Sequence, residues 1–104
     1  NRLLSGGWDS LDFEPFREGI MGSWILRGTP AIAVLKYEPC AIVPKHLHTG
    51  VEMIIVLAGT QYDERGYYQR GDLVINPINS QHEVSSDEGC VVLLHWNKPV
   101  EFLL

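Results

Sequence analysis

The sequence predicts an all-β fold, either an antiparallel sandwich or a barrel. From Ser23 onward the 104-residue chain alternates short apolar stretches with turn residues. The stretch 51–58 is rich in β-branched residues and has no helical period, which favours a strand. No stretch shows a convincing amphipathic helical pattern. About nine short strands at this spacing are typical of sandwiches and barrels, and periodicity alone does not separate the two.

The predicted strands follow one another between recognisable turns. Glycine, proline, asparagine and aspartate suit tight turns, and they fall between the apolar stretches. These turns lie at 28–30, 63–66, 77–80, 87–89 and 97–99. The nine predicted strands are 24–27, 31–37, 51–58, 61–62, 67–69, 73–76, 82–85, 90–96 and 100–103.

The first 22 residues are expected to differ from the rest. Residues 8–22 are the least regular, and Pro15 with two glycines breaks any long helix there. We predict an extended N-terminal segment over 1–22 that packs on a single barrel formed by 23–104, since this length fits one domain. The sequence begins at Asn1 without a methionine, so a missing start and a removed signal peptide both stay open.

Composition narrows the class of partners. Eight basic against thirteen acidic residues give a net charge of −5 with no basic stripe to neutralise phosphates, so no nucleic acid is expected. The longest apolar run, 53–58, is too short to span a bilayer, so no membrane is expected. Cys40 and Cys90 lack CxxC spacing and are interpreted as reduced, buried, small hydrophobic residues of a cytoplasmic protein.

Candidate metal ligands cluster in the middle of the chain. Residues two apart in a strand project to the same face, so His46 and His48 point together. Glu52, four residues after His48, projects to the same face if the bend after the histidines does not change the alternation of side chains. Two imidazoles and one carboxylate make a site for a borderline-to-hard divalent metal. His82, which follows a turn and begins a predicted strand, is the best candidate for a fourth ligand.

These residues match two motifs of the cupin family, which the chain resembles. The first motif is a glycine, five residues, His-x-His, three or four residues, Glu, six residues and a glycine. The second is a glycine, five residues, Pro-x-Gly, two residues, His, three residues and Asn. The matching positions are His46, His48, Glu52, Gly59, Gly71, Pro77 and His82. The departures are Cys40 and Asn79 at glycine positions and Ser86 at the asparagine, although Asn tolerates the left-handed backbone that such a turn needs.

The resemblance extends to the ChrR-type cupins, named after the cupin half of a zinc-binding anti-sigma factor. It covers residues 31–103 and is carried by Tyr37-Glu38-Pro39, Asp63-Glu64-Arg65-Gly66-x-Tyr68, Gly71, Asn76-Pro77, His82 and Glu88-Gly89-Cys90. The resemblance implies a cupin double-stranded β-helix, which is a jelly-roll barrel, with one bound divalent ion of Zn, Fe, Mn, Ni or Co. The ligands of this ion would be His46, His48, Glu52 and His82. The anti-sigma factor also has a helical domain with its own zinc ligands. This chain lacks the corresponding His-x-x-x-Cys-x-x-Cys pattern, so anti-sigma activity is not implied.

Three functions fit this ligand set. A six-coordinate ion would keep positions open, as in an Fe(II)-type dioxygenase acting on a small diketone- or thiol-like substrate inside the barrel. A closed tetrahedral zinc site would suit a ChrR-like sensor or regulatory cupin without turnover. The third function is a structural metal in a protein-interaction module. The sequence assigns no catalytic residue.

The remaining polar residues favour structural roles. His95 is interpreted as satisfied by a carbonyl group or by solvent. Tyr62, Tyr67 and Tyr68 flank a hairpin turn and are expected to cover the barrel rim, from which one could donate a hydrogen bond to a metal-bound ligand. The charged turn 63–65 is typical of a hairpin tip, and no catalytic role is expected there.

The strand at 51–58 is apolar on both faces apart from Glu52. Met53, Ile55 and Leu57 lie on the face opposite the predicted ligand. That face needs cover from a second sheet or a partner chain, so we expect a homodimer.

Overall fold

The chain folds into a curled antiparallel sheet with its longest strand at the centre. The computed structural model describes residues 6–103. The strands are β1 (Glu14–Arg17), β2 (Ile20–Leu26), β3 (Ala31–Tyr37), β4 (Ala41–His48), β5 (Glu52–Asp63), β6 (Gly66–Gln69), β7 (Leu73–Asn76), β8 (Gln81–Ser86), β9 (Cys90–Trp96) and β10 (Val100–Phe102). Their order across the sheet is β1-β2-β3-β9-β5-β8-β4-β10, with β6 and β7 also paired to β5. The predicted all-β barrel is confirmed.

Helical structure is limited to one short turn. A 3-10 turn spans Gly7–Ser10, and no α-helix occurs between residues 6 and 103. That part of the chain accordingly contains no helix long and apolar enough to cross a membrane. Residues 1–5 of the predicted N-terminal segment lie outside the described residues, and the division of the chain at residue 22 stays a prediction.

Strand β5 changes its inward-facing side midway. Its first half pairs with β9 and β7, and its second half pairs with β6. A register shift against β9 between Val56 and Ala58 marks a β-bulge. Before the bulge the even-numbered Glu52 is buried, whereas after it the buried side chains are those of Gln61 and Asp63. The bulge therefore brings an odd-numbered aspartate into the barrel.

Apolar side chains pack on both faces of the sheet. The larger cluster faces the interior of the barrel, and its most deeply buried members are Ile20, Ala33, Leu35, Ile54, Val56 and Val92. A smaller cluster on the outer face is covered by residues that precede β1. It consists of Val34, Leu57 and Val91 under Trp8, Leu11 and Phe13. The N-terminal residues therefore supply part of the cover that the outer face of β5 requires, while Met53 remains 39% exposed. The homodimer stays a prediction.

Strand β4 is absent from the nine predicted strands, although it carries two of the predicted ligands. A proline and a lysine in its middle weaken its strand propensity. The sheet accommodates Pro44 at a register shift against β8 between Val43 and His46, and bulges are where sheets tolerate proline. Strand β1 lies within the segment predicted to be extended.

The expected burial is right for Cys90 and wrong for Cys40. Both thiols are free. Cys90 is buried, and burial raises its pKa to about 12. Cys40 is exposed because it lies in the turn before β4, with a φ of 67°, and not in a strand. Asn79, at the other substituted glycine position, has a φ of 72°, as its predicted tolerance of left-handed backbone requires.

Replacing Gly59 with alanine should destabilise the barrel much more than replacing Gly71. Both have positive φ, 72° and 90°, so alanine is strained at either position. A Cβ at Gly59 would lie 2.2 Å from the carbonyl oxygen of Gly89, whereas one at Gly71 would meet nothing within 4 Å. In urea unfolding we expect Gly71→Ala to lose about 1 kcal/mol and Gly59→Ala about 3 kcal/mol or more. Equal losses would contradict this close approach of the two backbones.

Candidate metal centre

Three strands bring the four predicted ligands together inside the barrel. His46 and His48 lie on β4, and both side chains are buried, as the strand parity predicts. Strand β4 pairs with β8 so that His46 stands directly opposite His82. Glu52 is the first residue of β5 and follows a bend at 49–50. Each of the four residues is 4% exposed or less, so His82 faces the interior and not the solvent.

The four side chains lie close enough to share one ion. Their candidate donor atoms are all within 4.8 Å of one another. The imidazole centroids are 5.0 Å apart for His46 and His48, 4.6 Å for His46 and His82, and 4.7 Å for His48 and His82. Nε2 of His48 lies 3.3 Å from Oε1 of Glu52. Two ligands on opposite sides of an ion, each about 2.1 Å from it, would be about 4.2 Å apart. The spread of 4.8 Å exceeds this separation by only a few tenths of an ångström, so the cluster is compatible with one metal ion after a small movement of the side chains.

Each histidine has its Nδ1 held by the protein. Nδ1 of His46 donates to a backbone carbonyl oxygen at 2.8 Å, and Nδ1 of His48 lies 3.0 and 2.9 Å from the carbonyl and hydroxyl oxygens of Ser80. Nδ1 of His82 lies 2.8 Å from Oδ2 of Asp63. With Nδ1 protonated, each Nε2 keeps a lone pair for a ligand. Burial also lowers the pKa of His46, which favours its neutral form.

Two of the Nε2 atoms lack a hydrogen-bond partner among the described residues, although one of them lies near the Glu52 carboxylate. Nε2 of His48 and Nε2 of His82 are buried and accept or donate no hydrogen bond within residues 6–103. A buried polar atom without a partner is costly, and native proteins rarely leave one unexplained. A divalent ion would satisfy both atoms at once, so this donor set fits a bound metal.

A chain of hydrogen bonds outside the cluster joins Glu52 to Asp63. Nδ2 of Asn76 donates to Oε1 of Glu52 at 2.8 Å. The Arg65 guanidinium donates to Oδ1 of Asn76 and, at 3.0 Å, to Oδ2 of Asp63. The Tyr68 hydroxyl donates to Oδ1 of Asp63 at 2.9 Å. These bonds orient the glutamate and also the aspartate that holds the third histidine.

Asp63 could not be identified as a site residue from the sequence. The predicted hairpin tip, 63–66, includes Asp63, but Asp63 is the last residue of β5, and its side chain is only 2% exposed and faces the barrel. Burial alone would raise its pKa, but the hydrogen bonds from His82, Arg65 and Tyr68 outweigh burial and lower it to about 2. The available signal was the Asp-Glu-Arg-Gly-x-Tyr motif of the ChrR-type cupins, but a motif does not show which way the aspartate side chain points.

The cluster forms part of the wall of a cavity of about 470 Å³. His46, Glu52 and His82 line it, and most of the other lining side chains are apolar, among them Leu35, Val43, Ile54, Val84 and Leu94. Apolar walls around a few polar groups, at this volume, are usual for small-molecule sites. Tyr37 also lines the cavity, and burial raises its pKa, so its hydroxyl stays protonated and can donate a hydrogen bond.

The other polar residues that the sequence singled out lie outside the cluster. His95 stands opposite Met53 on the outer face of the sheet. Tyr67 is 72% exposed, and the Tyr62 hydroxyl donates to an aspartate in the turn before β9. Tyr68 alone of the three tyrosines contacts the network around the histidines, and it does so through Asp63.

The sequence matches the family model of the ChrR cupin-like domain over residues 8–101. The chain belongs to the ChrR cupin-like family. This ChrR-like cupin is 31% identical over 87 residues to the anti-sigma-E factor ChrR of Cereibacter sphaeroides, a match that covers 81% of this chain and 41% of that protein. The chain therefore spans less than half the length of this curated relative.

Solved structures share the fold of the ChrR-like cupin. The complex of Rhodobacter sphaeroides SigE with the anti-sigma ChrR matches with a TM-score of 0.80 and 21% identity over 90% of this chain and 54% of that chain. An RmlC-like cupin protein from Ralstonia eutropha matches with a TM-score of 0.79 and 17% identity, over 90% and 66%. An acetylacetone dioxygenase from Acinetobacter johnsonii matches with a TM-score of 0.82 and 13% identity, over 88% and 72%. At these identities the likeness confirms the predicted cupin fold and does not extend to activity.

Replacing Asp63 with asparagine should remove an acid-sensitive part of the stability. The folded pKa of about 2 lies below that of an unfolded aspartate, so the carboxylate contributes its full stabilisation above about pH 5 and loses it as the pH falls through about 2. The measurement is urea unfolding of metal-free protein. The difference in the free energy of unfolding between the wild type and Asp63→Asn should be on the order of 1 to 2 kcal/mol larger at neutral pH than at about pH 2.

The neighbouring exposed residue Glu64 supplies the control for this measurement. Its carboxylate accepts hydrogen bonds from the backbone of Glu83, and a glutamine amide oxygen can also accept them. Glu64→Gln should therefore leave the free energy of unfolding at neutral pH nearly unchanged. If the wild type and Asp63→Asn differ in free energy of unfolding by the same amount at both pH values, the role of the Asp63 carboxylate is contradicted.

Proposed function

We propose that this ChrR-like cupin binds one divalent metal ion through His46, His48, Glu52 and His82 and acts on a small molecule in the adjoining cavity. The observation that carries the proposal is a pair of buried Nε2 atoms that make no hydrogen bond within residues 6–103 and lie beside a carboxylate at the wall of an apolar cavity. Histidines with a purely structural role in a core would have both ring nitrogens satisfied by the protein.

The ligand set suits several divalent metals. Three neutral imidazoles and one carboxylate leave a +2 ion with a net charge near +1, which attracts anions and oxygen donors. Fe(II), Mn(II), Ni(II) and Co(II) accept more than four ligands and leave room for a substrate, whereas tetrahedral Zn(II) would be closed by these four. Three of the four residues line the cavity, which favours an open site. We therefore propose Fe(II) as the first metal to test.

The proposed reaction is an oxidation of a small diketone- or thiol-like substrate by dioxygen. Iron bound at the cluster would supply the redox chemistry. The residues of the chain would exclude water with the apolar walls, orient the substrate with the Tyr37 hydroxyl and hold the imidazoles through Ser80 and Asp63. The shared fold of the acetylacetone dioxygenase supports this choice of reaction.

A regulatory role is the second candidate, favoured by the relationship to ChrR. That relative is an anti-sigma factor, and its solved structure is a complex with SigE. A protein partner is therefore a proposal for this chain as well. A ChrR-like sensor would bind an oxidant or small ligand in the cavity without turnover. A closed zinc site would suit such a sensor, and also a structural metal in an interaction module.

We also propose a homodimer that forms through the outer face of the barrel. Met53, Leu73 and Ile75 are 39%, 59% and 43% exposed, and the pairing of β5 with β7 makes them neighbours. Contiguous exposed apolar side chains mark interaction surfaces. The proposed location is the cytoplasm, which two free thiols would suit.

Removing one imidazole should abolish tight metal binding. Elemental analysis of protein purified without added metal should find about one ion per wild-type chain and at least tenfold less in His46→Ala and His48→Ala, since each removes a direct ligand. His95→Ala serves as the matched control, because His95 lies on the outer face of the sheet. Equal retention in all three variants would overturn the ligand assignment.

Oxygen consumption tests the proposed reaction. Anaerobically purified protein loaded with Fe(II) should consume dioxygen when acetylacetone or cysteamine is added, and the same protein treated with a chelator should not. Loading is measured separately, so an unloaded sample is not mistaken for an inactive one. A fully loaded protein that turns over neither probe counts against the dioxygenase and in favour of the regulatory role.

A further inference from the structure

The cavity has a positively charged side chain in its wall, away from the histidine cluster. Arg17, the last residue of β1, is half-buried and lines the cavity together with Phe16. Two consecutive residues of a regular strand face opposite sides. The register of β1 against β2 shifts between Pro15 and Arg17, and such a bulge re-aims side chains. This irregularity accounts for an arginine and a phenylalanine on the same cavity wall.

Arg17 has no carboxylate partner in the part of the chain that the structure describes. Its Cζ lies 4.6 Å from the centroid of the Phe102 ring, and that ring lies 5.8 Å from the ring of His46. Arg27, which also lines the cavity, is paired with Glu14 at 2.7 Å in an exposed ion pair. A half-buried guanidinium without an anion keeps its donors available, and a planar guanidinium suits a carboxylate.

Aromatic side chains beside Arg17 form an apolar surface. The ring centroids of Phe16 and Trp96 are 6.2 Å apart with an interplanar angle of 11°, and Trp24 lies 6.0 and 5.8 Å from these two rings. All three side chains line the cavity. A ligand that contacts both this surface and the arginine needs an apolar body and one anionic group. The net charge of −5 does not favour anions at long range, so local contacts must select them.

We propose that Arg17 selects an apolar carboxylate as the cavity ligand, with the carboxylate on the guanidinium and the apolar body against Phe16, Trp24 and Trp96. This deepens the proposed function and rests on it, since it takes the cavity to be the substrate site. A diketone- or thiol-like substrate would then also carry a carboxylate. The contact with Arg17 does not require the metal, so it is measurable with and without an ion.

The test compares two probes of the same shape, cyclohexanecarboxylate and cyclohexanecarboxamide. Binding is followed by the fluorescence of Trp24 and Trp96 in a Trp8→Phe background, because Trp8 packs on the outer face of the barrel. Titration calorimetry on the otherwise wild-type chain provides a second measurement. The carboxylate should bind about tenfold more tightly than the amide in both the metal-free and the zinc-loaded protein, as a charge-assisted contact predicts.

Variants of the two cavity arginines separate selection from folding. Arg17→Met keeps an apolar stem and should lose the preference for the carboxylate, with binding of the amide unchanged. Arg17→Lys should retain part of the preference because it keeps the charge. Arg27→Met is the matched control and should retain the full preference, since its guanidinium is already paired. Thermal unfolding and metal content are measured on every variant.

Three results would overturn the proposal. The first is equal binding of the two probes by the wild type. The second is an unchanged preference for the carboxylate in folded Arg17→Met. The third is a preference for the carboxylate that appears only with zinc, because the carboxylate would then bind the metal. A different result separates the two proposals. If the wild type binds no metal but still binds the carboxylate more tightly than the amide, the metal-dependent function is contradicted and the selection by Arg17 is supported.

Discussion

The burial of three imidazoles and one carboxylate at one point is the constraint on which the rest of this structure depends. Buried polar groups destabilise a fold unless each finds a partner. The barrel satisfies every Nδ1 of the cluster, through a carbonyl oxygen near His46, through Ser80 and through Asp63. Two Nε2 atoms make no hydrogen bond within the described residues. The hydrogen bonds at Nδ1 fix the orientation of the rings, which is the arrangement that the proposed metal site requires.

Strand β5 supplies both a direct donor and an indirect one to this cluster. Glu52 lies before the bulge in β5 and Asp63 after it, so the side of the strand that faces the barrel changes between them. One strand can therefore present the Glu52 carboxylate to the cluster and the Asp63 carboxylate to Nδ1 of His82. Arg65 and Asn76 close the connection between these two carboxylates. The hairpin that follows β5 is therefore part of the support of the site and not only a connection between strands.

The cavity serves either candidate function with the same chemistry. A metal ion at the histidine cluster and the Arg17 guanidinium would attract negatively charged atoms, and the aromatic rings on strands β1, β2 and β9 would contact an apolar body. A dioxygenase would turn such a ligand over, whereas a regulator would respond to its presence. The relationship to ChrR concerns the barrel, since the match covers 41% of that protein.

The sequence alone determined the all-β class, the family and the four residues that meet in the barrel, because strand alternation and motif spacing are local properties of the chain. Even in β4, which the propensities did not predict, the parity of His46 and His48 was correct. Only the tertiary structure decided that Asp63 faces inward, that Cys40 is exposed and that Arg17 lines the cavity. These directions depend on bulges and turns that arise when strands remote in sequence pair, and one extra residue at a bulge reverses the facing side of every residue after it.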